Sequence, residues 1–405
     1  MQQLAIHKRL AFRSRSTRRP PRQASRPESI PRALAGRMDL PFLLLTILLT
    51  VLGLVMLFSA SFPSASYKQG DPAYFLKRQA IFALLGMAAM VVMSRMDYHR
   101  LRGMAKILMY VSIFLLVLVL VPGVGIKENG ATRWLGKVGV LTFQPSEIAK
   151  LAIIVYFADS ISKKKNLMES FKYGVRPYLL TLAFFSGLML LEPHLSGTIL
   201  IVGTGVVLMI VGGIDKRWAI GGIGSVAALG FAYVKLVEAG VISYGADRIR
   251  MWEDPWIDAL DEGYQMCQSL IAIGSGGLTG VGLGKGRQKF LYLPEEHNDF
   301  IFAVVCEELG FVGAIGILIL FALLIIRGYW IAMHARDRFS MLLAAGLTTL
   351  LALQVFLNVA VVTNLLPSTG ISLPFFSYGG TALIMQLAEN GIVLNVSRSI
   401  TQSPR

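Results

Sequence analysis

Long apolar stretches recur along this 405-residue chain and restrict its fold more than any other feature. Many reach about 18 residues or more, the length at which a helix can cross the ~30 Å hydrocarbon core of a membrane. Inside that core every backbone polar group must find a partner within the protein, so helices are the expected form. Charged residues make up 16% of the chain, against about a quarter in soluble domains. The sequence therefore predicts an all-α polytopic integral membrane protein.

The apolar stretches predict about ten transmembrane helices. They lie at about 39–60, 79–94, 104–122, 146–161, 177–191, 197–213, 218–238, 299–326, 340–364 and 380–397. The fourth to sixth stretches are short, which indicates helices that are tilted, broken or partly buried in protein.

Lys and Arg are concentrated in alternate loops, and this orients the helices because cytoplasmic loops carry an excess of basic residues. Basic residues precede the first stretch and follow the second, fourth, sixth and eighth, whereas the loop at 364–380 has none. Both termini are therefore predicted to be cytoplasmic. The outward loops are then 62–76, 123–145, 192–196, 239–298 and 364–379.

The same pattern divides the chain into an arm, a membrane domain and a tail. Residues 1–37 form a basic arm, interpreted as disordered and cytoplasmic; residues 38–398 form the transmembrane domain, with a large extracytoplasmic loop at 239–298 between its seventh and eighth helices; and residues 399–405 form a cytoplasmic tail. The net charge of +15 follows from the arm and the cytoplasmic loops. It favours contact with anionic membrane lipid and not with nucleic acid, because no groove-reading element accompanies it.

The stretch Gly263–Gly310 is the longest polar interruption of the membrane-like sequence, and Asp299 lies near its end. One interpretation of Asp299 is an acid at a helix N-terminus, which the helix dipole favours by about 0.3–1 kcal/mol, with Asn298 or Asp299 as the cap. The other is a carboxylate at the water–lipid boundary that takes a proton from a hydroxyl. Glu307 and Glu308 lie deeper in the same helix, where we expect buried, hydrogen-bonded or ion-paired carboxylates.

A second polar cluster lies at 129–150. Pro145 is typical of a helix start, and Glu147 and Lys150 have the spacing of an ion pair on one helix face. Lys150 falls within an apolar stretch, where an unpaired ammonium is costly, so a cavity with an anionic ligand would account for it. Arg133 belongs to the outer loop just before this helix.

Two further outward turns contain polar residues. Glu192 and His194 flank a proline, but the other candidate ligands lie far away in the sequence, so a metal site is not favoured. The segment Leu365–Ile384 is broken by prolines and glycines, and such backbone at membrane depth lines a cavity or is buried. Ser377 and Tyr378 are expected to line that cavity, and Asn358 to face it.

These residues belong to long motifs, which are YLPEEHNDFIFAVVCEELG, GYQMCQSLIAIGSGGLTGVGLG, RWLGKVGVLTFQPSEIAK and LLPSTGISLPFFSYGG. Together they resemble the SEDS family of bacterial membrane proteins, which includes FtsW, RodA and SpoVE. The resemblance covers about residues 39–397 with the motifs in order, and QKFLYLPEEHNDFIF and EPHLSGT are most similar to the FtsW and SpoVE branch.

The resemblance implies a peptidoglycan glycosyltransferase that polymerises lipid II into glycan strands on the outer face of the bacterial cytoplasmic membrane. It implies work at the division septum with a class B penicillin-binding protein and other divisome proteins. Asp299 corresponds to the family's proposed catalytic acid, Glu147 and Lys150 to its QPSE-x-x-K motif, and Arg133 to its RW pair.

The chemistry agrees with one catalytic carboxylate, because a lipid diphosphate departs without an acid, whereas a glycosidase needs two carboxylates. Lys150 and Arg133 would stabilise the departing diphosphate. No cofactor is expected; a divalent cation would suit the diphosphate, but no DxD-type pair is visible. Two alternatives remain open at this point, a lipid II flippase and a non-enzymatic scaffold that activates a penicillin-binding protein.

Overall fold

The computed structural model describes residues 36–128, 131–137, 141–239 and 246–400, and this part of the chain is mainly helical. Its helices are α1 (Leu40–Gln69), α2 (Tyr74–Arg95), α3 (Tyr98–Leu120), α4 (Pro145–Lys164), α5 (Arg176–Leu191), α6 (Leu195–Val211), α7 (Lys216–Glu238), α8 (Ala246–Glu253), α9 (Tyr264–Gly276), α10 (Ile301–Met333), α11 (Arg338–Val362) and α12 (Gly380–Ile400). All but α8 and α9 coincide with the predicted apolar stretches. Within the described ranges, six helices are long and apolar enough to cross a membrane. The predicted basic arm lies mostly outside the described residues.

Local sequence sets several helix ends. Asp39 begins α1 by accepting a hydrogen bond from the Phe42 amide, and Gly70 ends it with a φ of 67°. Asp337 begins α11 through a capping box with Ser340, which satisfies amide groups that the first turn of a helix leaves without partners. Such caps fix the ends of the helices, while packing fixes their arrangement.

The buried helix α11 lies at the centre of the bundle. It contacts α4, α6, α10 and α12, while α2 packs along α12 and α3 along α4. Most of the α11 surface is covered by protein, whereas α2, α3 and α10 leave wide apolar faces exposed. This is the distribution expected of a helix bundle whose outer face meets lipid.

A small antiparallel sheet precedes α4, and the sequence analysis did not predict it. Its strands are β1 (Ile126–Glu128), β2 (Ala131–Lys137) and β3 (Leu141–Phe143), with β2 in the middle. Leu135 of β2 pairs with Phe143 of β3. The sheet places Arg133 on a strand, where the sequence analysis expected a loop.

The segment predicted as a large outer loop, 239–298, is structured over much of its length. It contains α8 and α9, and α9 packs along the first part of α10. Gly310 interrupts α10 with a φ of 66°, and a Cβ there would lie 2.2 Å from the Gly280 nitrogen. Gly310 is about 13 Å along α10 from Ile301, at 1.5 Å per residue. The segment after α9 therefore reaches back along the first part of α10.

Candidate active site

One cavity of about 850 Å³ brings the predicted site residues together. It lies between α2, the β-sheet, the start of α4, the turn before α6, the loop before α10 and the segment before α12. Its lining includes the six residues predicted for catalysis or substrate binding, which are Arg133, Glu147, Lys150, Asp299, Ser377 and Tyr378.

Asp299 lies just before α10 and not within it. The residue at the N-cap position is Phe300, and no side chain caps this helix. The side-chain amide of Asn298 donates a hydrogen bond to Glu295 instead. The interpretation of Asn298 or Asp299 as a helix cap is therefore wrong, and the Asp299 carboxyl is left at the cavity wall.

Hydrogen bonds from neighbouring elements fix the backbone around Asp299. The amide nitrogen of Asn358 in α11 donates to the carbonyls of Asp299 and Ile371, at 2.7 Å each. The Ser377 hydroxyl donates to the Asn298 carbonyl at 2.6 Å. Asn358 is buried behind the cavity wall and does not line the cavity, so both side chains act by holding the loop that carries Asp299.

Helix α2 closes the cavity beside the same loop. The ring of Phe75 lies 4.4 Å from that of His297 and 4.9 Å from that of Tyr378, measured between centroids. Gln79 donates to the Ser377 carbonyl at 3.2 Å. Sequence reasoning missed both α2 residues, although Gln79 is a polar side chain within an apolar helix, and such residues usually face a polar interior.

The Asp299 carboxyl is half-buried, and this burial raises its pKa to about 7, with the negative charge of Glu295 contributing in the same direction. A carboxyl titrating near neutral pH is a stronger base than an ordinary aspartate and is still partly ionised. Such a shift at a cavity wall is typical of a functional carboxyl.

The lining of the same cavity also contains cations. The Lys150 ammonium is 4% exposed and donates to Glu147 at 2.8 Å, which is the predicted ion pair. Arg133 donates to the Glu192 carbonyl at 3.4 Å and also to the Pro193 carbonyl. Arg133 and Lys150 are therefore held at the wall by their neighbours.

The turn between α5 and α6 contains two buried titratable side chains, Glu192 and His194. Burial, and then the charges of Arg133 and Lys150, lower the pKa of His194 to about 3. Burial likewise raises the pKa of Glu192 to about 8, against the effect of Arg133. Both side chains are mainly uncharged near neutral pH. Within the described ranges, no group of three His, Cys, Asp or Glu side chains is placed to bind a metal ion.

A buried ion pair fastens the segment between α9 and α10 to α10 itself. Glu308 accepts hydrogen bonds from the Lys289 ammonium at 2.7 Å, from the Ser59 hydroxyl at 2.6 Å and from the Gly284 amide at 3.0 Å. Its neighbour Glu307 accepts from the Arg287 amide at 2.7 Å. Both carboxylates are thus engaged within the protein, which agrees with the structural role expected of them.

Comparison with known proteins gives a consistent picture. The family model described as "Cell cycle protein" (FtsW, RodA and SpoVE) matches residues 39–402. A probable peptidoglycan glycosyltransferase FtsW of Geobacter metallireducens is 42% identical, over 91% of this chain and 96% of the relative. Stage V sporulation protein E of Bacillus subtilis is 44% identical, over 89% and 97%.

Solved structures resemble the fold as well. A structure described as "Structural coordination of polymerization and crosslinking by a peptidoglycan synthase complex" has a TM-score of 0.75 and 31% identity, covering 90% of this chain and 99% of that one. The rod shape determining protein RodA of Thermus thermophilus has a TM-score of 0.66 and 30% identity, covering 90% and 98%. The resemblance drawn from the motifs is confirmed, and this chain belongs to the FtsW, RodA and SpoVE family of cell cycle proteins.

Proposed function

We propose that this chain is a peptidoglycan glycosyltransferase that joins lipid II disaccharides into β1→4 glycan strands. Several relatives of similar length are named probable peptidoglycan glycosyltransferase FtsW. The observation that carries the proposal is the single cavity that contains both Asp299 and the cations Arg133 and Lys150. One part of it suits proton removal, and the other suits a diphosphate.

Asp299 acts as the general base. Its carboxylate takes the proton from the 4-hydroxyl of the acceptor N-acetylglucosamine while that oxygen forms a bond to C1 of the donor sugar. The bond between C1 and the diphosphate oxygen breaks, and its electron pair leaves with the diphosphate. This direct displacement inverts an α-linked donor to a β linkage. General base catalysis of this kind contributes about 100- to 10,000-fold to a rate.

Arg133 and Lys150 stabilise the charge that develops on the departing diphosphate. Fixed cations in a partly desolvated cavity are effective because they need little rearrangement as the charge develops. Glu147 accepts a hydrogen bond from Lys150 at 2.8 Å and so fixes its position. Ser377 supports the reaction indirectly through the Asn298 carbonyl, and Tyr378 forms part of the aromatic wall beside Asp299.

The membrane topology and partners complete the proposal. Ten membrane-crossing helices with cytoplasmic termini would place 239–298 and the cavity at the outer face of the cytoplasmic membrane, because the basic loops then lie inside. The resemblance to a component of a peptidoglycan synthase complex supports a class B penicillin-binding protein as the partner. The similarity to FtsW proteins supports action at the division septum with other divisome proteins.

Polymerisation of labelled lipid II in detergent, with the partner present, tests this function because no bilayer has to be crossed. We expect glycan polymer from the wild type and its loss in Asp299→Ala. Asp261→Ala is the matched control, because this exposed carboxylate lies in the same outer segment but not in the cavity wall. Normal polymerisation by Asp299→Ala would remove the proposed base. Translocation of lipid II in liposomes without any polymerisation would establish a flippase instead.

A further inference from the structure

The proposed reaction brings two diphosphate groups to one cavity. The donor's diphosphate departs from C1, whereas the acceptor's diphosphate stays attached to its own sugar and lipid. Each group carries negative charge and needs cations where it leaves bulk water. The pair Arg133 and Lys150 accounts for one of these two groups, so this inference rests on the proposed function and asks where the other group binds.

A second pair of basic side chains, Lys68 and Arg78, also lines the cavity. Lys68 lies in the last turn of α1, and Arg78 lies near the start of α2, which begins at Tyr74. A short connection joins these two helices, so both side chains lie at the same end of the bundle. In the proposed topology that end lies at the outer face of the cytoplasmic membrane. The diphosphate of a lipid-linked sugar lies at the same level.

Arg78 is held at the cavity wall. It donates to the Tyr74 hydroxyl at 2.7 Å, and its guanidinium carbon lies 5.5 Å from the centre of the Tyr74 ring. A guanidinium has a planar fork of N–H donors that matches phosphate oxygens. Lys68, in contrast, is exposed, and a flexible ammonium can follow a diphosphate as it moves.

The α2 wall is the part of the cavity packed against the loop of Asp299. Phe75, one turn before Arg78, lies 4.4 Å from His297 by ring centroids, and His297 is two residues before Asp299. Asp299 removes the proton of the acceptor hydroxyl, so the acceptor sugar lies beside this loop. The departing diphosphate is bonded to the C1 that this hydroxyl attacks, whereas the acceptor's own diphosphate is one disaccharide away and suits cations such as the exposed Lys68 at the end of α1. We propose that Lys68 and Arg78 bind the diphosphate of the acceptor lipid, while Arg133 and Lys150 bind the departing diphosphate of the donor.

Kinetics with separate donor and acceptor test the assignment. A lipid II analogue without the 4-hydroxyl of its N-acetylglucosamine serves only as donor. A labelled analogue in which a methylene replaces the oxygen between C1 and the diphosphate keeps the charged group but cannot lose it, so it serves only as acceptor. For the double variant Lys68→Gln and Arg78→Gln we expect the acceptor KM to rise about tenfold or more, equivalent to about 1.4 kcal/mol. The donor KM of this double variant should stay within twofold of the wild type. Lys150→Gln, in contrast, should raise the donor KM.

Matched variants keep the result interpretable. Lys77→Gln changes the residue next to Arg78. The Lys77 side chain is 65% exposed, pairs with Asp71 at 2.7 Å and is not part of the cavity wall. Both KM values of this variant should therefore stay unchanged. Arg78→Lys keeps the charge and should recover part of the acceptor affinity. A disaccharide acceptor without diphosphate should react equally with the wild type and the double variant, which also shows that the variant is folded.

Two results would overturn the assignment. One is an unchanged acceptor KM in the double variant, and the other is an equal rise of both KM values. A separate result refutes the proposed function itself, namely that the wild type forms no coupled product from lipid II. The two failures are therefore distinguishable.

Discussion

Replacing Lys289 by methionine would leave the Glu308 carboxylate buried without its cation. The Lys289 side chain is 2% exposed, the Glu308 side chain is 0% exposed, and 2.7 Å separates the ammonium from the carboxylate. Removing one partner of such a pair costs about 3–5 kcal/mol, because the remaining charge stays desolvated. The hydrogen bonds of Glu308 to Ser59 and Gly284 remain, so we expect a loss toward the lower end of that range.

The neutral variant Glu308→Gln should cost a similar amount, since it leaves the Lys289 ammonium unpaired. The double variant removes both charges and should be less destabilised than the sum of the two single variants by about 2 kcal/mol or more, the size seen for strongly coupled neighbours. Titration of the purified protein with a denaturing detergent, followed by tryptophan fluorescence and circular dichroism, measures each free energy of unfolding.

Lys285→Met is the matched control, because this lysine is exposed in the same outer segment. Its effect should stay within about 0.5 kcal/mol. Additive effects of Lys289→Met and Glu308→Gln, or a Lys289→Met variant as stable as the control, would refute the argument that a desolvated ion pair fastens this segment to α10.

Three further perturbations probe the site. Polymerisation should fall as the pH drops through about 7, because protonated Asp299 cannot accept a proton. Glu295→Gln removes a charge that raises the pKa of Asp299, so it should lower the midpoint of the pH–rate profile. An unchanged or higher midpoint contradicts the base assignment. Asn358→Leu removes two hydrogen bonds of 2.7 Å, worth about 1–3 kcal/mol for each buried carbonyl left unpaired; its initial rate should fall about tenfold or more, and a rate within twofold of the wild type speaks against positioning. Gly310→Ala should lower the free energy of unfolding by about 1–3 kcal/mol or more, because its Cβ would lie 2.2 Å from a backbone nitrogen. Gly316→Ala in the same helix is the control, since a Cβ there has open space. Equal stabilities of the two variants would show that the close approach is unimportant.

The long helices were predictable because hydrophobic length is a local property of the sequence. Helix α4 begins at Pro145, one residue from the predicted boundary, since proline is suited to the first turn. Helix α1, in contrast, continues to Gln69 and includes Pro63, although the prediction ended it at 60. Its last third is helical because packing supports it: Ser61, Ser64 and Ala65 are buried there.

The segment between α9 and α10 depends on contacts that local patterns do not contain. Gly276 and Gly280 approach the backbone of α10 at Cys306 and Glu308, and the Val281 amide donates to the Glu307 carbonyl at 3.0 Å. Glycines favour turns, but they do not indicate which helix such a turn approaches. The short strands before α4 were missed because glycines interrupt their alternation.

The site was predictable where motifs named its residues and unpredictable where tertiary structure supports them. Asp299, Arg133 and Lys150 were named from the sequence. The bond between Gln79 and Ser377 joins residues 298 positions apart, and no pattern in a single sequence relates them. The family resemblance therefore indicated the chemistry, and the structure showed which side chains hold the site residues in place.

The central claim is that Asp299 is the base of the polymerisation, and Asp299→Asn tests it most directly. The amide keeps the shape of the side chain and removes only its ability to accept the proton. With lipid II in detergent and the partner present, we expect the rate to fall about 100-fold or more while lipid II binding, measured separately, is unchanged. Polymerisation within threefold of the wild-type rate across the pH range would contradict the claim.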